Sequence, residues 1–430
     1  LRILRGVVVG AILVTAAAIV PPAAAFAAVP ANSGTYYPLA ASRILDTRAG
    51  IGAPQASVGP GGTISLQVAG QGGTPATGMS AVVLNVTTTG ATQASFLTVY
   101  PSGVTRPTAS SLNFVAGWTG ANSVTVAVGA DGKVNIYNSQ GNTQVIADVV
   151  GFYAADDSMV GQLGAGGQFF SIPPFRFFDT RTDAPGRLQA NTFIRLGIDF
   201  GSDEANAHLR AMVVNVTTVG SSAGGYLAAW DGLGGVPGTS TLNYNRAEIV
   251  PNMAVVPVSN CEPCGDFPSI AVYTSATTDI IVDVVGVFDD GFFGDGMLFT
   301  PLTPTRIADT RIGQGAPSAL GPGGIATITA PGSVAGADTF ALAMNVTAVA
   351  PTSSTFLTVW PEGAGVDRPT SSSLNPAAGQ TVPNSVYAEI GPTNAFNIYN
   401  SLGNTHVLVD VVGSFFLPTE SAKSAPTKVY

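Results

Sequence analysis

Charge is what this sequence most lacks. Only 10% of its 430 residues are Asp, Glu, Lys or Arg, against roughly a quarter in an ordinary soluble domain, so each charged side chain calls for a reason. With Lys+Arg 17 and Asp+Glu 26 the formal net charge is −9, and no basic footprint is left for nucleic acid or an anionic membrane. The only lysines are Lys133, Lys423 and Lys428. A surface so poor in charge is weakly protected against self-association, which is therefore one partner expectation. There are two histidines, His208 and His406, and neither sits in a motif, which argues against a general base. No G-x-S-x-G, H-E-x-x-H, P-loop or dinucleotide fingerprint is present. No segment of a dozen residues carries apolar spacing near 3.6, which excludes a helical bundle.

Cysteine is equally scarce: Cys261 and Cys264 are the only two. A structural zinc needs four ligands, and this stretch offers only His208 besides. A redox pair needs a helix N-terminus after the first cysteine, and the flanks are Pro, Gly and strand formers. The pair is expected as a disulfide closing a small loop in an oxidising compartment. That agrees with the first residues, where Arg2 and Arg5 precede an apolar run from Gly6 to Val20 and Ala25-Phe26-Ala27 forms a cleavage motif. Residues 1–27 thus read as a cleaved Sec signal peptide and the protein as secreted. No later stretch is apolar enough to span a bilayer. Residues 418–430 read as a polar, disordered tail.

What the chain has is repetition. Arg43-Ile44-Leu45-Asp46-Thr47-Arg48, Arg176-Phe177-Phe178-Asp179-Thr180-Arg181 and Arg306-Ile307-Ala308-Asp309-Thr310-Arg311 are variants of one phrase, and Asp46, Asp179 and Asp309 are 133 and 130 residues apart. Each phrase is answered by an Asp-Val-Val-Gly beginning at Asp148, Asp283 or Asp410. Between them run short β-branched and aromatic segments broken by Gly/Pro turns every 8 to 12 residues or so, the pattern of a sandwich or barrel. The expected fold is all-β, three tandem β-sandwich-like domains over 36–155, 168–289 and 297–417, with seven or eight strands each. The disulfide falls at a hairpin tip of repeat 2.

The recurring charges have two readings. Alternation puts Ile146, Asp148, Val150 and Phe152 on one strand face and Val145, Ala147 and Val149 on the other, so the strand is central and Asp148 buried. A lone buried carboxylate costs several kcal/mol, and the cations able to reach it are Arg43 and Arg48. The bland reading is a structural clasp of Arg43, Asp46, Arg48 and Asp148, repeated as Arg176, Asp179, Arg181 and Asp283, and as Arg306, Asp309, Arg311 and Asp410. The sharper one, paired carboxylates for calcium or acid–base work, is disfavoured because two arginines would repel a metal. No catalytic, cofactor or metal residue is assigned. Calcium is conceivable only at Asp289, Asp290 and Asp295, in a connector without EF-hand spacing. Asn85-Val86-Thr87, Asn215-Val216-Thr217 and Asn345-Val346-Thr347 match the glycosylation sequon, but lie within strands, where asparagine is expected to bond backbone in a bulge.

These phrases, together with Phe96-Leu97-Thr98-Val99-Tyr100-Pro101 and Ser111-Leu112-Asn113, resemble a tandem repeat of secreted proteins from actinobacteria and other soil bacteria. The resemblance covers nearly the whole of the chain after residue 27. It implies a domain type found alone or beside secreted enzymes, and it brings no established catalytic residue. The functional expectation is a secreted, non-enzymatic structural or binding module at or outside the cell surface. The rival expectations are a carbohydrate- or cell-wall-binding protein, a self-assembling surface-layer or filament component, and a secreted hydrolase.

Overall fold

The computed structural model describes residues 32–418; the signal read over 1–27, and the tail beyond Pro418, lie outside them. Repeat 1 has strands β1 (Tyr36–Asp46), β2 (Thr63–Gln67), β3 (Met79–Thr89), β4 (Ser95–Pro101), β5 (Leu112–Phe114), β6 (Gly120–Ala127), β7 (Lys133–Asn138) and β8 (Gln144–Ala154). They form two antiparallel sheets, in the orders β1-β8-β3-β6 and β2-β7-β4-β5, the arrangement of an eight-stranded jelly roll. Repeats 2 and 3 rebuild both sheets, so the described residues form an all-β structure of six antiparallel sheets in three two-sheet sandwiches. Within repeat 1, Val82, Leu84 and Val86 of β3 meet Leu97, Val99 and Ile136 of the outer sheet to form the sandwich core.

The copies differ where the sequence gives a reason. Repeat 2 has a ninth strand, Ser259–Cys261, paired with Phe267–Thr274 at the hairpin tip. It also has an unforeseen helix, Asp203–His208, where the Ser202 hydroxyl accepts the Ala205 N–H, an N-cap. Repeat 3 keeps seven strands and only a bridge between Leu357 and Leu374 where β5 would lie. Pro376 stands at the place of Phe114, and proline cannot donate to the ladder.

The Asp-Val-Val-Gly phrase encodes a bulge that strict alternation misses. Leu84 pairs with Val149 but Val83 with Gly151, leaving Val150 extra. The same step occurs at Val285 and Val412. From there the strand faces exchange, and Tyr153 rather than Phe152 shares a face with Asp148. The glycine is needed because a ring lies on it: a Cβ at Gly413 would sit 2.1 Å from Phe299 Cζ, and one at Gly151 2.1 Å from the Tyr36 hydroxyl. Gly413→Ala is therefore expected to destabilise by about 2 to 3 kcal/mol, as overpacking does. Thermal melting against Gly161→Ala, which meets nothing within 4 Å, checks it, and equal melting of the two would refute the ring contact.

The second face of each inner sheet, carrying Ala81, Val83 and Tyr153 in repeat 1, packs against the other two repeats in one shared cluster. Tyr36 of repeat 1 meets Phe288 of repeat 2 at 4.6 Å, Phe169 of repeat 2 meets Phe415 of repeat 3 at 4.5 Å, and Phe299 of repeat 3 meets Tyr153 of repeat 1 at 4.1 Å. That order closes on itself, so the sandwiches surround a pseudo-threefold axis. The inner edge strands β6, Ile249–Pro257 and Thr381–Glu389 touch one another pairwise there, which covers edges that would otherwise be open to pairing.

Candidate functional site

The recurring charges sit on the seam face of each inner sheet. Arg43 Nε and Nη2 donate to the two Asp148 oxygens at 2.9 and 3.2 Å, and Arg306 does the same to Asp410 at 2.8 and 2.8 Å. Arg176 reaches Asp283 with a single bond of 2.6 Å and spends Nη1 on Asp179 at 2.9 Å. The outer arginine grips the other carboxylate: Arg48 donates to Asp46 at 2.9 and 2.7 Å, with equivalents at Arg181–Asp179 and Arg311–Asp309. Arg43 and Asp148 are direct cross-strand partners on β1 and β8, so the pair lies within one sheet and does not bridge the two sheets of a sandwich. Asp148, Asp283 and Asp410 are each 1% exposed.

The two kinds of carboxylate are driven in opposite directions. Burial raises the Asp148, Asp283 and Asp410 carboxyls above their ordinary value despite the arginine beside each. Hydrogen bonds from Arg48 and Arg311 lower Asp46 and Asp309, and the bond from Arg181 brings Asp179 from 3.8 to about 2. A depressed carboxyl adds stability above its unfolded value of about 4 and loses it as the pH falls through its folded value. The raised trio acts with the opposite sign. Asp179→Asn is thus expected to flatten the decline of melting temperature between about pH 4 and pH 2; calorimetry across that range would show an unchanged slope if Asp179 were not responsible.

The sequon asparagines bond across repeats rather than into a bulge. Asn85 Nδ2 donates to the Ser240 carbonyl at 2.6 Å, Asn252 Nδ2 to Asn85 Oδ1 at 3.1 Å, and the Ser123 N–H to Asn252 Oδ1 at 3.1 Å. The same three bonds join repeat 2 to repeat 3 through Asn215, Asn384 and Met253. They join repeat 3 to repeat 1 through Asn345, Asn122 and Ser385. Asn85, Asn215 and Asn345 are buried, so none presents an amide to a glycan. Thr87, Thr217 and Thr347, the last residue of each sequon, bury a hydroxyl without a protein partner.

Other candidates are placed as follows. Cys261 and Cys264 are bonded to each other. His406 Nδ1 meets the Thr310 hydroxyl at 2.9 Å. His208 Nδ1 meets Asp290 at 2.8 Å, stacks on Phe292 at 4.5 Å, and shares Asp290 with Arg210. Asp289 accepts the Gly291 and Phe293 N–H groups at 3.1 and 2.9 Å. Asp289 and Asp290 are thus engaged separately, and among the described residues no group of three or more His, Cys, Asp or Glu is placed to hold a metal ion. No described helix is long and apolar enough to cross a membrane. A cavity of about 30 Å³ lies in the seam between repeats 2 and 3, beside Asn215, Asp283 and Asn384. An open depression beside Arg306 and Asp309 spans the seam between repeats 3 and 1.

Sequence reading missed the aromatic pairs on the outer sheets. Phe96 and Tyr137 lie 6.4 Å apart, Tyr226 and Tyr273 5.6 Å, and Phe356 and Tyr399 5.9 Å. Their signal was present as aromatic residues at equivalent strand positions in all three copies.

No family model and no curated protein matches the chain. Among solved structures it is similar to a chain in the atomic structure of Sulfolobus Turreted Icosahedral Virus, at 11% identity over 90% of this chain and 98% of that one, with a TM-score of 0.18. A second, described by the words "The Triple Jelly Roll Fold and Turret Assembly in an Archaeal Virus", is 10% identical over 90% of each, with a TM-score of 0.18. Likenesses at that TM-score have no bearing on what this chain does.

Proposed function

We propose that this chain is a secreted, non-enzymatic structural or binding module acting at or outside the cell surface. The observation that supports the reading is where the recurring polar residues are spent. The twelve clasp charges pair with one another, and the six seam asparagines bond across repeats. What repeats therefore builds the ring. The contact of the Thr310 hydroxyl with His406 has no histidine counterpart in the other copies, where Thr47 meets Gln144 and Thr180 meets Asp279, so the described residues repeat no hydroxyl beside an imidazole. The outer sheets and turns remain available for contact.

The test is retention of the purified protein on insoluble polysaccharide and on purified cell wall, run beside a panel of glycoside, ester and peptide substrates. Surface retention or inert behaviour without turnover fits the reading. Turnover that co-purifies with the folded protein and vanishes in a point variant would overturn it.

A further inference from the structure

The three outer sheets carry the same tyrosine in different company. In repeat 1 the Arg106 guanidinium lies over the Tyr137 ring, 3.9 Å from its centroid, and in repeat 3 Arg368 lies over Tyr399 at 4.0 Å. Both arginines precede a proline, Pro107 and Pro369, in the loop after the fourth strand. The matching loop of repeat 2 runs from Asp231 to Ser240, has Val236 before Pro237, and contains no Lys or Arg. Among the described residues no cation lies over the Tyr273 ring, whose hydroxyl donates to Asn191 Oδ1 at 2.9 Å. Phe193, cross-strand to Tyr273, is 52% exposed and packs edge-on against Trp230 at 5.5 Å. The outer face of repeat 2 is thus a row of rings missing the cover that its two sisters supply from their own loops.

The surrounding charge says what would fill it. Residues 168–289 contain 12 Asp and Glu against six Arg, whereas residues 36–155 contain three Asp against three Arg and one Lys. The clasp on the inner sheet of repeat 2 takes up two of those acids and two of those arginines, and Arg195 on the outer sheet is held by the Asp231 and Asn260 carbonyls and the Ser259 and Ser269 hydroxyls. Asp231, Glu262 and Asp266 stand in the loops at the end of this sheet, beside the disulfide tip. An aromatic face within an acidic surround attracts a cation, and a guanidinium does so best because its plane can stack on the ring. We propose that the outer sheet of repeat 2 is a docking site for an arginine-bearing basic segment of a partner protein, whose guanidinium covers Tyr273 as Arg106 covers Tyr137. This inference rests on the binding-module reading of the preceding subsection and supplies its partner class.

The experiment uses the full chain with ¹³C-labelled tyrosine, titrated with a synthetic arginine–glycine peptide, a glutamine–glycine peptide and a soluble neutral glucan oligosaccharide. The Tyr273 ring signal, assigned through Tyr273→Leu, is expected to shift saturably with the arginine peptide and not with the other two. Val236→Arg restores the sisters' cover in cis and is expected to weaken peptide binding at least fivefold with unchanged melting temperature. If that variant does not fold, the same weakening is expected from Tyr273→Leu. Equal response to the glutamine peptide, response to the glucan alone, or full binding by the variants would overturn the proposal. None of these results restores an enzymatic reading, which only co-purifying turnover would do.

Discussion

Replacing Asn252 by leucine is expected to lower the stability of the whole ring by about 3 kcal/mol or more. The leucine would leave the Ser123 N–H, Asn85 Oδ1 and the Thr241 carbonyl without their partner, and each orphaned buried group costs about 1 to 3 kcal/mol. Spread over a unit of this size, that is a drop in melting temperature of roughly 4 °C. Calorimetry should show one transition in both proteins, because every sandwich shares a seam with each of the others. Asn142→Leu, at an exposed turn position, should melt like the parent. Separate transitions for separate repeats, or equal melting of the two variants, would mean that the seams do not couple the copies.

Arg306→Met is the second large effect, about 3 to 5 kcal/mol at neutral pH, because it strands the Asp410 carboxylate without its countercharge. Asp410 is 1% exposed, and burial already raises its carboxyl above the ordinary value. Without the arginine that carboxyl rises further, so the folded variant takes up a proton that the unfolded chain holds less tightly. Its stability deficit should therefore narrow as pH falls from 7 toward 5. The double variant Arg306→Met, Asp410→Leu should recover most of the loss, since a paired burial of charge is often no better than an apolar one. A deficit that does not change with pH, or no recovery in the double variant, would show that the pair is not what the variant disrupts.

Much of this architecture could be read from the chain itself. The repeated phrase counted the copies, β-branched alternation between Gly/Pro turns gave strands, and the shortage of cations narrowed the partner of Asp148 to two arginines. The relation between copies was not legible. Asn85 in a strand looks the same whether its amide bonds its own backbone or Ser240 of the next repeat, and the seam that closes the ring joins Ser110 to Asn345, 235 residues away. The bulge at Val150 was hidden too, since Val149 and Val150 are chemically alike and only pairing registers the extra residue. The bond of His208 with Asp290 spans 82 residues and depends on a helix that no apolar period announced.

One residue near the axis sets this chain apart from any assembly of identical subunits. Tyr387 occupies the position of Thr125 and Val255 on the three edge strands, and its hydroxyl meets those of Thr125 and Tyr153 at 2.7 and 3.3 Å. Three separate identical polypeptides would have to place the same side chain there three times, and three tyrosines would crowd where one tyrosine, one threonine and one valine interlock. Joining the copies in one polypeptide releases the centre from symmetry, so that a single large ring can stand beside a threonine and a valine at equivalent positions.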